Sequence, residues 1–293
     1  MVNKKNILVT GGVGFLGSVL AQQLASKGFS VFVLDTKTGK KSYNIKYIKG
    51  SIENINLINR SLKNIDYVYH FAGMAGIAEC NSNPHKAVKT NILGTLNVLN
   101  GAIINKVKKI IFASSIYVLS EQGGVYKSTK QCCENLIENY NKLYGLNYVC
   151  LRFGSLYGPD SNDFNFISSA IKQGIYKNII ERNGDGSEVR KYIYVEDAAR
   201  AAIEVLKKKY LNQYYEITGE KAITVRSLLN KIKSNLKSPV EIKYNRLHKD
   251  ADHYHRNPNT FTLRKSKILN YKNIIDIDKG LELTIKNIYD FKD

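Results

Sequence analysis

Between a hydrophobic run and an amphipathic one, the stretch Ile7-Leu-Val-Thr-Gly-Gly-Val-Gly-Phe-Leu-Gly17 places Gly11, Gly14 and Gly17 at G-x-x-G-x-x-G spacing. No other local pattern restricts the chain as much. Glycines let a backbone turn tightly and approach a pyrophosphate, whose charge is then held by free amides and the positive end of the helix that follows. Gly11, Gly14, Phe15, Leu16 and Gly17 are therefore the expected phosphate-binding residues of a dinucleotide site. A second hydrophobic run ends at Asp35, whose carboxylate should accept hydrogen bonds from the adenosine ribose and repel a 2′-phosphate. NAD is thus the expected cofactor, although Lys37, Lys40 and Lys41 follow closely and partly offset that repulsion.

The alternation continues beyond this motif. Short β-rich runs at 6–10, 30–35, 67–71, 109–113 and 147–153 are interleaved with helical segments at 14–27, 92–105, 127–144 and 195–208. The last of these opens on Glu196 and Asp197, charges that suit a helix N-terminus. Such a pattern specifies an α/β fold with a Rossmann-type, doubly wound parallel sheet. The rhythm loosens after the turn signal Gly158-Pro159 and again after Gly219. At 293 residues the chain exceeds the usual single-core size. It therefore divides into a nucleotide-binding domain, 1–158 plus about 186–218, and a smaller C-terminal substrate-binding lobe, about 159–185 plus 219–293.

The formal charge of +19 raises nucleic-acid binding, but the lysines are scattered through every segment and no nucleic-acid module accompanies them. No nucleic-acid partner is expected, whereas a positive field does attract an anionic substrate. Cys80, Cys132, Cys133 and Cys150 form no C-x-x-C and suit neither a disulfide framework nor a zinc site. They read as reduced thiols of a cytoplasmic protein. No run of about 18 apolar residues is present, so neither a membrane span nor a secretory leader is expected. His248, His253 and His255 cluster with Asp250 and Asp252 without regular spacing, which reads as a solvated loop rather than a metal site.

Tyr126 and Lys130, in Val125-Tyr-Lys-Ser-Thr-Lys130, lie four residues apart on one helix face. A lysine ammonium one turn away favours an ionised phenol and should draw the tyrosine pKa down from about 10 towards working pH. With 20 Tyr and 44 Lys plus Arg, the spacing recurs by chance, so its meaning depends on its surroundings. Those surroundings are informative. The glycine loop, Asp66-Tyr-Val-Tyr-His70-Phe-Ala-Gly73, Asn91-Ile-Leu-Gly-Thr95, Phe112-Ala-Ser-Ser115, the Tyr126/Lys130 pair, Leu151-Arg-Phe-Gly-Ser-Leu-Tyr-Gly-Pro159 and Val189-Arg-Lys-Tyr-Ile-Tyr-Val-Glu-Asp197 follow one another in order. In that order they resemble the extended short-chain dehydrogenase/reductase family, in its branch of NAD-dependent nucleotide-sugar epimerases and dehydratases similar to UDP-galactose 4-epimerase.

The resemblance implies a Ser-Tyr-Lys arrangement. Ser115 would hydrogen-bond the reacting oxygen, Tyr126 would shuttle its proton, and Lys130 would hold the phenolate and the nicotinamide ribose; Ser114 is the competing serine. It further implies cofactor contacts from Ser51, Ile52, Phe71, Ala72, Gly73 and Asn91, and substrate contacts from Met74, Ser155, Arg190 and, in the segment 255–262, Arg256. The alternative role for Arg190 is an ion pair with Glu188 or Asp197. Relatives often dimerise through a four-helix interface, here 92–105 and 127–144, so a homodimer is expected.

Three departures refine this expectation. Dehydratases carry an acidic pair after the catalytic Ser or Thr, where this chain has Ile116 and Tyr117. Ser155 replaces an asparagine common in relatives, and Ser51 an aspartate. Ser115 and Tyr126 are separated by a short connection through Leu119-Ser-Glu-Gln-Gly-Gly124, which implies a pocket more open on that side. The expected activity is nucleotide-sugar epimerisation at C4 through a transient 4-keto sugar. The alternatives are an NAD(P)H-dependent reductase or dehydrogenase of a nucleotide-linked sugar and, last, a non-catalytic cofactor-sensing or RNA-associated protein.

Overall fold

Runs such as Ile7-Leu-Val and Val149-Cys-Leu carry almost no polar residue, the mark of strands covered on both faces. In the computed structural model, which describes residues 5–39, 42, 44–161, 165–245, 267–269 and 274–290, these runs do form strands. In chain order the strands are β1 (Asn6–Thr10), β2 (Ser30–Asp35), β3 (Ile45–Lys49), β4 (Tyr67–His70), β5 (Lys109–Ser115), β6 (Asn147–Phe153), β7 (Ser155–Tyr157), β8 (Ile179–Asn183), β9 (Val189–Tyr194), β10 (Gln213–Ile217), β11 (Ala222–Thr224), β12 (Glu241–Asn245) and β13 (Lys267–Ile268). The helices are α1 (Phe15–Ser26), α2 (Ile55–Ser61), α3 (Ile77–Ser82), α4 (Pro84–Ala87), α5 (Gly94–Ile104), α6 (Gly124–Tyr144), α7 (Phe166–Lys177), α8 (Val195–Glu204), α9 (Val225–Asn235) and α10 (Ile277–Asp290).

The main sheet has the order β13-β10-β6-β5-β4-β1-β2-β3, and each of its pairings is parallel. Chain order reverses at β1, which pairs with β2 on one side and β4 on the other. In doubly wound sheets such a switch point, outside the carboxyl ends of the strands, is where ligands bind. Because every strand runs the same way, the glycine loop after β1, Asp35 at the end of β2, Phe71 after β4 and Ser115 at the end of β5 all emerge at one edge. The core beneath that edge includes Leu8, Val68, Ile110, Phe112, Cys150 and Ile137, each fully or nearly fully buried.

Two compact units are present. One comprises Met1–Phe153, Ala199–Ile217 and Thr262–Leu269, and the other Gly154–Ala198, Thr218–Phe261 and Asn270–Asp293. The second unit contains a three-stranded sheet, β11-β9-β7, and a two-stranded one, β12-β8. Its core gathers Tyr157, Ile171, Leu228, Ile232, Leu281 and Ile285.

Several boundaries differ from the sequence pattern, each for a local reason. The segment 92–105 is divided between a π-helical turn over Val88–Leu93 and α5, and the π turn carries Asn91. Helix α6 begins at Gly124 rather than 127, because Gly123 and Gly124 adopt positive φ (108° and 49°) and the Asn81 side chain accepts the Val125 N–H from another helix. Helix α8 stops at Glu204 rather than 208. There the buried Lys109 ammonium donates to the carbonyls of Val205 and Leu206 (2.9 Å each), satisfying groups that a helix end leaves orphaned.

Candidate active site

Helix α6 carries both Tyr126 and Lys130 and buries one stripe. Thr129, Lys130, Cys133, Glu134 and Ile137 are buried, a spacing of three and four residues that turns this face towards the sheet. Tyr126 sits in the first turn, half-buried, beside a small apolar cluster of Met74, Cys80 and Ala87. Its hydroxyl faces Ser115, at the very end of β5, closely enough for the serine hydroxyl to favour the ionised phenol. Lys130, one turn on, donates to the Ala113 carbonyl (2.8 Å), and its ammonium stands 5.9 Å from the centre of the Tyr126 ring and 4.7 Å from that of Phe112. The structure thus brings Ser115, Tyr126 and Lys130 together.

The phenol itself departs from the expected pKa. Burial pushes Tyr126 up to about 12, against the opposing effect of the Ser115 hydrogen bond. Burial likewise lowers the Lys130 ammonium. Desolvation outweighs the neighbouring cation here because removing charge from water affects both groups at once. Ser114 and Ser115 are also distinguished: Ser114 Oγ donates to Glu134 Oε1 (2.7 Å) on the buried face of α6, whereas Ser115 faces Tyr126.

The edge above β1 and β2 suits a dinucleotide. Gly11 adopts φ +72°, and a Cβ there would lie 2.6 Å from the Ala72 nitrogen. A Cβ on Gly17 would collide with the Gly11 carbonyl oxygen. Helix α1 opens at Gly14 with no side-chain cap and no acidic residue in its first turn, leaving its amides and positive end for an anion. Asp35 is held in place by the N–H groups of Val13 (3.0 Å) and Lys37 (2.9 Å). Leu16 is buried, Phe15 and Phe71 are half-buried, and Ile52 packs under the edge. Ser51 Oγ accepts from the Glu53 N–H (3.1 Å).

Around Gly73 the backbone is pinned by Asn91, whose side chain accepts from Met74 N–H (2.7 Å) and donates to Met74 O (3.1 Å) and Thr129 Oγ1 (3.0 Å). Thr129 in turn donates to the Tyr126 carbonyl (2.8 Å). On the other side of Asn91, Thr95 links to His70 (2.9 Å), and His70 to Thr10 (2.8 Å), which also accepts from the Ala72 N–H (3.2 Å). A continuous buried network therefore ties the strand before the glycine loop to the helix that bears Tyr126.

A family model described as NAD dependent epimerase/dehydratase family matches residues 7–217. The chain belongs to that family. It is accordingly an enzyme of the NAD-dependent extended short-chain type, and NAD is the cofactor that the cradle fits. It is 28% identical over 301 residues to a putative UDP-glucose 4-epimerase of Methanocaldococcus jannaschii, covering 95% of this chain and 97% of that one. It is 29% identical over 259 residues, 78% of this chain, to an Arabidopsis thaliana trifunctional UDP-glucose 4,6-dehydratase, 3,5-epimerase and reductase, of which the match spans 39%. Among solved structures, UDP-glucose 4-epimerase of Thermotoga maritima with UDP-glucose superposes with a TM-score of 0.81 at 28% identity, over 98% of this chain and 100% of that one.

Within this family member the second unit holds Ser155 on β7, half-buried, and Arg190 on β9, half-buried and paired in register with Ile223. Glu188 takes Arg182, not Arg190, as its ion-pair partner, while Asp197 accepts the Ile275 N–H (2.7 Å). Arg256 and the histidine-aspartate cluster lie outside the described residues. Among the described residues no group of three or more His, Cys, Asp or Glu is placed to hold a metal, and no helix is long and apolar enough to cross a membrane. Sequence reading missed Glu134, Arg152 and the capping Asn81. Arg152 carried a signal: an arginine inside an otherwise apolar strand requires a buried anion.

Proposed function

We propose that the protein is a nucleotide-sugar epimerase acting at C4 through a transient 4-keto sugar, with the first unit as cofactor domain and the second as nucleotide-sugar lobe. The observation that carries this reading is the set of proton-bearing groups at the end of β5. Tyr126 and Ser115 form one proton-carrying pair beside Lys130. The two positions after Ser115 hold Ile116 and Tyr117, and Glu134 is committed to Arg152. Eliminating water from a sugar asks for a further carboxylic acid to protonate the departing hydroxyl. Reversible oxidation at one alcohol carbon needs a single proton carrier.

NAD supplies the hydride acceptor and donor when bound. Tyr126 Oη takes the proton of the sugar hydroxyl and returns it to the same oxygen as the other epimer forms. Ser115 Oγ orients that oxygen. Lys130 contributes the positive charge that a buried phenolate requires, the more so because the phenol is pushed up to about 12, chiefly by burial. Leu93, Ile104, Leu143 and Tyr144 leave apolar surface exposed on and beside α5 and α6, which supports a homodimer through these helices. Four free thiols support a reducing, cytoplasmic setting.

The test is mass spectrometry of small molecules released on denaturing fresh protein, followed by incubation with a panel of nucleotide sugars. NAD should be released, and one sugar should be converted without added reductant. Turnover that requires NADH in stoichiometric amounts would make the protein a reductase instead. Tyr126→Phe should abolish conversion while retaining NAD, and normal conversion in that variant would overturn the mechanism.

A further inference from the structure

We propose that Glu134, clamped by Arg152, is a positioning residue for the reaction: through Ser114 it fixes the end of β5 against α6, and with it the two groups that aim Lys130 and Tyr126. The inference rests on the reading of Ser115, Tyr126 and Lys130 as the reacting set. Its basis is a convergence of three side chains from three elements. Ser114 and Arg152 are register partners on the adjacent parallel strands β5 and β6, so both project to the same face of the sheet. Glu134, one turn after Lys130 on α6, meets them there. Its Oε1 accepts from Ser114 Oγ (2.7 Å) and Arg152 Nε (3.0 Å), and its Oε2 from Arg152 Nη2 (2.8 Å).

The pair is wholly enclosed, with side chains 1% and 2% exposed for Arg152 and Glu134. Tyr214 covers the guanidinium at 4.6 Å and ties its own hydroxyl to Glu138 (2.9 Å), a further turn along the same helix. A buried ion pair is a poor way to gain stability, since well-packed apolar residues of the same volume do as well or better. What it supplies is direction. Fork-shaped guanidinium bonds and a serine bond admit one arrangement of strand against helix, where an apolar contact admits several.

That direction matters because of what flanks Ser114 on β5. The residue before it, Ala113, provides the carbonyl that receives the Lys130 ammonium, and the residue after it, Ser115, faces the Tyr126 hydroxyl. Holding Ser114 therefore sets both neighbours. A small slip of the strand end displaces both groups together, and catalytic groups lose rate steeply with such displacements.

The experiment compares the NAD-loaded wild type with Ser114→Ala, Ser114→Thr and the volume-matched apolar double variant Glu134→Leu/Arg152→Met. It reads kcat and KM on the nucleotide sugar converted, and the titration of Tyr126 by NMR of tyrosines labelled at Cζ, assigned by the Tyr126→Phe spectrum. Thermal melting and NAD affinity report on folding. Ser114→Ala should fold and bind NAD as the wild type does, lose about tenfold in kcat at unchanged KM, and shift the Tyr126 midpoint; Ser114→Thr should restore both. The double variant should melt near the wild type yet show the same kinetic and titration defects. Wild-type kcat and titration in Ser114→Ala, or equal defects in Ser114→Thr, would overturn the proposal. Full turnover in Tyr126→Phe would overturn the reading beneath it, a distinct result, because the Ser114 variants are judged on titration as well as on rate.

Discussion

Each unit of the molecule buries an arginine-glutamate pair, and the two pairs are built differently. In the first unit Arg152 and Glu134 join a strand to a helix, and each carboxylate oxygen has a partner. In the second, Arg182 and Glu188 join the two sides of one turn, and Glu188 Oε2 is buried without a hydrogen-bond partner among the described residues. The first pair is satisfied and non-local. The second is local and keeps an acceptor in reserve. Full satisfaction rigidifies a polar interior, while an unmet acceptor holds a cost that another donor can remove. The same contrast extends to the Thr10-His70-Thr95 network of the first unit, where both ring nitrogens are bonded.

The largest expected effect comes from removing one partner of the satisfied pair. Arg152→Met should destabilise the protein by about 3–5 kcal/mol in chemical denaturation, because Glu134 is left charged and buried. Adding Glu134→Leu should recover most of that loss; failure to recover it would mean that packing rather than charge governs the site.

Next comes the acid side of the stability profile. Burial lowers His70 to about 3 from its ordinary value near 6.5, so the folded protein binds fewer protons than the unfolded chain between those values. Stability associated with neutral His70 is therefore full above about pH 6.5 and falls as pH drops towards about 3, by roughly 1.4 kcal/mol per pH unit at the steepest. Denaturation measured against pH in His70→Gln should lack this component, and an unchanged slope would show that the network does not hold the ring neutral. The smallest effect belongs to the second unit. Glu188→Gln should cost only about 1 kcal/mol, because it retains an oxygen for Arg182 and gives up no hydrogen bond at Oε2. A loss as large as that of Arg152→Met would erase the difference between the pairs.

Much of the first unit was legible in the chain because its signals are contiguous. The glycine loop and Asp35 each declare themselves within a few residues, while the Ser114-Ser115 doublet and the Tyr126/Lys130 spacing take their meaning from the ordered motifs around them. Where local reading erred, a distant group was responsible. Helix α6 starts early because Asn81 caps it, and α8 ends early because Lys109 takes its carbonyls. Glu188, one of the two alternative partners weighed for Arg190, pairs with Arg182 across the turn. The phenol of Tyr126 was expected to be drawn down by Lys130, and burial, which no local spacing encodes, moved it up.

The sequence by itself determined the alternation of strand and helix, the parallel sheet and the dinucleotide cradle, since each depends on backbone propensity and spacing along the chain. Only the tertiary structure decided which serine faces Tyr126, what neutralises Arg152, and how far desolvation shifts the phenol. Those outcomes depend on which surfaces meet and how much water they exclude, and contact between residues far apart in the chain has no signature in local order.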